Sequence, residues 1–349
     1  MADASATTAP ALAATLRRLA PGVLLSAVVA VLAVIGAPYV ARVITIPAMV
    51  LALLIGIALN PVAARPVFQP GLVFCVKQLL RWAVALMGLR IALSDIVALG
   101  LGAGVVVVIS MVVTIIAGFL AARVLGLPSP FGALAGVGTA VCGASATLAT
   151  SAVVPEYPGK DADVVFVVVG VNALATLAIV IYPPLCVALG FDPQTTGVML
   201  GATIHDVAQV AGAGYAVSEA VGNAAVIVKL FRVFLLLPVV LAIGWWFMRQ
   251  GTAARAARVP VPVFAFVFLA LCIINSVLPS VATVASLYAH TKVVLVEAST
   301  DGLLIAIGAL GLGTSVSAIG TLGWRHIATV GTTTVVILVV ATAGLLLLH

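Results

Sequence analysis

The sequence predicts an all-α polytopic membrane protein of about eleven transmembrane helices: an extra N-terminal helix, then a five-plus-five inverted repeat with two broken, crossing helices. Three observations predict it. The 349 residues are 64% hydrophobic and 7% charged, with mean hydropathy +1.35, and no soluble core hides that much apolar surface. Apolar runs long enough to cross a bilayer recur from one end of the chain to the other. Finally, Gly136-Val137-Gly138-Thr139-Ala140 returns in type as Gly311-Leu312-Gly313-Thr314-Ser315, 175 residues later and half a chain away.

In order, the helices are expected near 22–40, 44–60, 71–93, 95–122, 130–155, 162–190, 196–216, 219–248, 260–279, 291–321 and 324–348. Residues 1–41 hold an Ala/Thr-rich tail, Arg17-Arg18 and the first helix, which is long and lacks a small-x-small cleavage site in a polar context. It reads as a retained helix rather than a signal peptide. Residues 42–190 then carry one set of five and residues 191–349 the other. The two Gly-Thr segments fall in the fourth helix of each set, and an odd number of helices turns the second set over in the membrane.

Basic residues orient the chain. With the N-terminus cytoplasmic, the inner loops carry Arg17, Arg18, Arg65, Arg123, Arg249, Arg255, Arg258 and Arg325. The outer loops then hold Arg42, Lys160 and Lys292, together with Asp95, Glu156, Asp161, Asp163 and Glu219. That asymmetry predicts a bacterial inner-membrane protein with the C-terminus periplasmic. The net charge of +6 is therefore a loop signal and not a nucleic-acid one. Cys75, Cys142, Cys186 and Cys272 are scattered through helices, and His205, His290, His326 and His349 form no ligand spacing, so neither a disulfide framework nor a metal is expected. No cofactor is expected either.

The stretch Gly136–Pro155 has the length of one crossing yet is made almost entirely of small residues. Small residues let helices approach closely, and unwound backbone at that depth survives only where protein or a cavity covers it. A half-helix starting near Gly143 would aim its positive end at the break, which suits an anion. The candidate substrate ligands are Thr139, Cys142, Gly143 and Ser145 at the first break, Thr314 and Ser315 at the second, and the intramembrane amides Asn172 and Asn275. The simpler alternative is a packing face of small residues.

Ionisable residues at membrane depth are costly and point to function. His205 and Asp206, with Gln209 within one turn of both, form a candidate coupling element, because a histidine beside a carboxylate exchanges protons near neutral pH. Glu297 and Asp301, four apart and just before the second Gly-Thr segment, are the next candidates. Arg90, Lys229 and Arg232 are buried cations, and an ion-pair lock joining Lys229 and Arg232 to Glu297 and Asp301 is the structural reading of the last two. Arg81 with Lys77 sits near a helix end, where snorkelling suffices.

The stretches "RWAVALMGLRIAL" (81–93), "GTAVCGASA" (138–146), "IHDVAQVAGAG" (204–214), "VKLFRVFLLLP" (228–238) and "ALGLGTS" (309–315) resemble the YeiH-like family of bacterial inner-membrane proteins, labelled sulfate exporters. The likeness runs from about residue 40 to the end. It implies a bile-acid/sodium symporter type of fold, with a core bundle, two crossing broken helices and a panel. Where that family usually has Cys-Gly-Asn-Ser-Ala, this chain has Ala144. The expected function is a secondary transporter for a small anion, sulfate or an organosulfonate, in the lipid bilayer, coupled to protons or sodium, with a homodimer possible. An anion channel is the neighbouring alternative. An intramembrane enzyme with Cys142 or Ser145 as nucleophile and His205 and Asp206 as base and orienter, or a scaffold without transport, are the distant ones.

Overall fold

A computed structural model describes residues 8–40, 48–250, 263–280, 285–314 and 323–348. Among them every regular element is helical: α1 (Thr8–Val40), α2 (Ala48–Ala58), α3 (Asn60–Ala63), α4 (Gln69–Phe74), α5 (Leu80–Leu86), α6 (Leu93–Ala98), α7 (Gly100–Val124), α8 (Ser129–Ala140), α9 (Ala144–Ser151), α10 (Lys160–Ala188), α11 (Pro193–Thr203), α12 (Val207–Val217), α13 (Glu219–Phe234), α14 (Leu236–Arg249), α15 (Val263–Val277), α16 (Ala285–Gly313) and α17 (Trp324–Leu348). A π-helical turn at Cys75–Leu79 joins α4 to α5. Seven spans among the described residues are long and apolar enough to cross a membrane.

The chain divides into two compact units that cut across the sequence halves. The first comprises residues 1–89 and 277–315. Its helices cross where side chains are missing: a Cβ on Gly56 of α2 would stand 2.7 Å from the Gly308 carbonyl of α16. Asn60 Nδ2 donates to Leu312 O at 2.8 Å, and Ser299 Oγ to Ala83 O at 2.7 Å, so backbone freed at helix ends and bends finds side-chain partners. Val29, Ala33, Ala52, Leu72, Cys75 and Leu312 form its core.

The second unit, residues 90–276 and 316–349, carries the broken helices. Helices α7 and α8 run antiparallel and nearly touch; a Cβ on Gly132 would lie 2.7 Å from Gly118 O, and one on Gly136 2.9 Å from Ile115 O. The start of α8 is thus level with the end of α7. Phe119, near that end of α7, meets Phe247 near the end of α14, with ring centroids 6.3 Å apart. Val153, just beyond α9, packs on Gly244 of the same α14. The end of α9 has therefore returned to the face where α8 began. Phe131 of α8, Phe166 of α10 and His326 of α17 cluster there too, with His326 at 4.7 Å from Phe131 and 5.2 Å from Phe166.

Segment α8–α9 is a re-entrant hairpin, not the single crossing expected over 130–155. Segment α11–α12 is another, entering from the opposite face in place of the crossing expected over 196–216. Gly197 of α11 abuts Val221 and Ala224 of α13, while Gly214 of α12 abuts Gly222, so both arms of this hairpin end beside the start of α13. Periodicity reports which side of a helix is apolar and says nothing of its direction, which is why each hairpin reads as one span.

The hairpins move one loop across the membrane. Residues 156–163 were expected outside and Arg325 inside, yet His326 Nε2 contacts Asp163 Oδ1 at 3.1 Å and Arg325 lies beside Gly126. Lys160, Arg123, Arg249 and Arg325 now share one face of the unit, opposite the ion pair of Arg90 with Glu219. Residues 161 and 220, both exposed, are expected on opposite faces, whereas eleven simple crossings put them on one. Asp161→Cys and Ala220→Cys should accordingly react with an impermeant thiol reagent from opposite sides of oriented vesicles; the native cysteines are buried. Labelling from the same side would refute the hairpins.

Candidate functional site

The two hairpin tips meet halfway along the unit. In the first, Val141 (φ −113°, ψ −84°) leaves the helix and Gly143 (φ 64°, ψ −122°) adopts a conformation open only to glycine. Gly143 N closes the turn on Gly138 O at 2.8 Å. In the second, Ile204 (ψ 136°) and Asp206 (ψ 146°) are extended, and Asp206 Oδ1 caps α12 by accepting from Ala208 N at 2.9 Å. A Cβ on Gly143 would lie 3.7 Å from His205 O. Asn172 of α10 and Thr333–Thr334 of α17, which flank the tips, fall near the middles of helices of 29 and 25 residues.

Each tip strands the carbonyls of a helix end, and Lys229 and Arg232 of α13 satisfy them. Lys229 Nζ donates to Val141 O at 2.6 Å, to Ile204 O at 3.0 Å and to His205 O. Arg232 gives Nε to Ala140 O at 2.9 Å, Nη1 to Gly201 O at 2.9 Å and Ile204 O at 3.2 Å, and Nη2 to Thr139 O at 2.9 Å and Ala140 O at 2.7 Å. Three ammonium and five guanidinium donors are thereby used. Both side chains are wholly buried. Their full charges face the negative ends of α8 and α11, the favourable sense of the helix dipole.

A hydroxyl and amide layer surrounds the tips. Thr139 Oγ1 and Thr333 Oγ1 are 2.9 Å apart, and His205 Nε2 lies 3.1 Å from Thr334 Oγ1. Gln209 Nε2 donates to Thr176 Oγ1 at 3.0 Å and Asn172 O at 3.2 Å, while its Oε1 is buried with no hydrogen-bond partner among the described residues. Cys142 is buried in the first tip. On the far side of the tips the helix N-termini differ. Asp206 caps α12 with a carboxylate, whereas Gly143 gives α9 no side-chain cap and only the Cys142 thiol meets its first turn, at Ala146 N; Ser145 in that turn is exposed.

Several expected site residues lie elsewhere. The break that meets the first tip is at Ile204–Asp206; at the expected Gly313–Ser315, α16 ends at Gly313, Thr314 Oγ1 bonds back to Leu310 O at 2.8 Å, and Ser315 lies outside the described residues. The lock to Glu297 and Asp301 is also not formed. Those acids are exposed on α16 of the first unit, while Lys229 and Arg232 spend their donors on main-chain carbonyls. Arg90 joins Glu219 at 3.6 Å, with Tyr215 beneath its guanidinium at 5.7 Å, and Asn275 Nδ2 donates to Ile91 O at 3.2 Å. Sequence reading missed Thr176, Thr333 and Thr334; the run Thr332–Thr334 inside an apolar last helix is the signal that could have found the last two.

Hairpins that enter from opposite faces and meet around buried charge define a polytopic membrane protein of transporter-like build. The chain belongs to the YeiH-like UPF0324 family: residues 21–330 match the family described as Conserved hypothetical protein 698. It is 42% identical to the UPF0324 membrane protein TauZ of Paracoccus pantotrophus, over 86% of this chain and 88% of the relative. It is also 38% identical to the UPF0324 membrane protein CT0845 of Chlorobaculum tepidum (88% and 84%) and 35% identical to the UPF0324 inner membrane protein YeiH of Salmonella typhi (87% and 86%). No solved structure matches it.

Two substitutions probe the tips. Gly143→Ala forces a side chain into a glycine-only conformation and should cost about 1–3 kcal/mol, read from the unfolding midpoint. Arg232→Gln strands carbonyls of both hairpins together with their buried surroundings and should cost about 3–5 kcal/mol. An Arg232→Gln protein as stable as the wild type would show that the carbonyls have other partners.

Proposed function

We propose that this protein is a secondary transporter moving a small anion, of the sulfate or organosulfonate class, across the bacterial inner membrane by alternating access. The observation that carries the reading is the start of α9 at a mid-depth break, where no carboxylate caps the helix, beside the exposed hydroxyl of Ser145. Half-helix N-termini of interrupted helices receive anionic groups in such proteins. The cations nearby do not compete for that role, because carbonyls hold them. Opposed hairpins support an inverted internal symmetry between α8–α10 and α11–α13. The basic face bearing Arg123, Lys160, Arg249 and Arg325 is the cytoplasmic one under the positive-inside rule.

Asp206, with His205 beside it, is the coupling element in this reading. It is half-buried at the second tip, on the hairpin that meets the one carrying α9.

Purified protein in proteoliposomes should therefore carry labelled sulfate or a small sulfonate against an imposed ion gradient. Ser145→Ala should weaken substrate binding by about 1 kcal/mol, roughly fivefold in affinity. Asp206→Asn keeps an N-cap residue, so the fold should persist while the pH dependence of flux disappears. Unaltered binding in Ser145→Ala, or a wild-type pH profile in Asp206→Asn, would remove that residue from its role.

A further inference from the structure

Lys229 has an unusual set of neighbours for an intramembrane lysine. No carboxylate lies within ion-pair distance of it among the described residues. Asp206, the acid carried on the tips, turns Oδ1 to its own helix. What surrounds Nζ instead is main-chain oxygen from both hairpins: Val141 O at 2.6 Å, Ile204 O at 3.0 Å and His205 O. Carbonyls at the C-terminal ends of interrupted helices are the ligands with which such transporters hold a coupling sodium ion. The same oxygens, neutral and strongly dipolar, replace the hydration shell of alkali cations in channel filters. An ammonium with three donors and three such acceptors satisfies the same need from within the chain.

We propose that Lys229 is the resident cation of the hairpin crossing: its tethered ammonium takes the place of a free alkali ion, so that the crossing is assembled without sodium and no sodium gradient drives the protein through it. The charge cannot leave, because four methylenes anchor it to α13 and Arg232, one turn on, is fixed to the same two helix ends. This bears on the driving ion of the transport reading, but its readout is stability and binding rather than flux.

The test is the unfolding midpoint of the purified full chain in sodium, potassium and choline chloride at equal ionic strength. The wild type is expected to unfold at the same temperature in all three. Lys229→Ala leaves the carbonyls without their cation, and its midpoint should rise saturably with sodium or ethylammonium but not with choline. Lys229→Ser, whose hydroxyl bonds locally and keeps the opened space polar, is the second variant if the first does not fold. A wild type stabilised saturably by sodium over choline overturns the proposal. So do folded variants indifferent to every small cation, or variants that no small cation allows to fold. Absence of anion flux in the wild type would overturn the transport reading and leave these results standing.

Discussion

Backbone carbonyls that lose their helical partners inside a hydrocarbon-spanning bundle must find donors, and the second unit is organised around meeting that demand. Thr139, Ala140 and Val141 end one half-helix; Gly201, Ile204 and His205 end another. Two cations one turn apart on α13 serve both sets at once. The tips share their donors, since Lys229 and Arg232 each bond carbonyls of both. The arrangement couples the hairpins: displacing one would unsettle the donors on which the other depends.

That demand explains the small residues. For Arg232 to reach Ala140 and Gly201 together, α8 and α11 must both lie close to their neighbours. Gly132 and Gly136 bring α8 against α7, and Gly197 and Gly201 bring α11 against α13. Any Cβ at these points would meet main-chain atoms that cannot swing away. The composition of Gly136–Pro155 is thus partly the packing face that simple helix association calls for, and partly the turn at Gly143. Both roles are present on one segment.

Much of this was legible in the sequence and some was not. Composition and apolar run lengths revealed the membrane class, and the spacing of Lys229 and Arg232 showed two cations on one face. The break near Gly143 was legible because glycine and hydroxyl residues interrupt an apolar run there. Its partner was not. The repeated Gly-Thr pattern drew attention to Gly311–Ser315, where α16 ends, while the break that meets Gly143 carries no paired glycines and is made by an extended Ile204 and a capping Asp206. An aspartate in an apolar segment reads as charge, yet here it is also the residue that restarts a helix. Direction was hidden for a different reason: a half-helix that turns back and one that continues have the same periodicity, and only contacts such as Val153 on Gly244 separate them.

The two tips resemble each other in handling carbonyls and differ in handling N–H groups, and this difference shapes the site. Both C-terminal ends are neutralised by lysine and arginine, so neither half-helix presents net negative potential to the crossing. The N-terminal end of α12 is occupied by its own carboxylate, leaving the start of α9 as the less negative of the two. In the proposed transport reading, an anion approaching the tips meets one helix end capped by Asp206 and one that no carboxylate caps. Protonating Asp206 would weaken its hold on the α12 amides and remove a negative charge facing the anion. Substrate and proton would then favour each other's presence, and the favour is reciprocal by linkage. In that reading the pairing needs no metal and no second cation, since carbonyls hold Lys229 and Arg232.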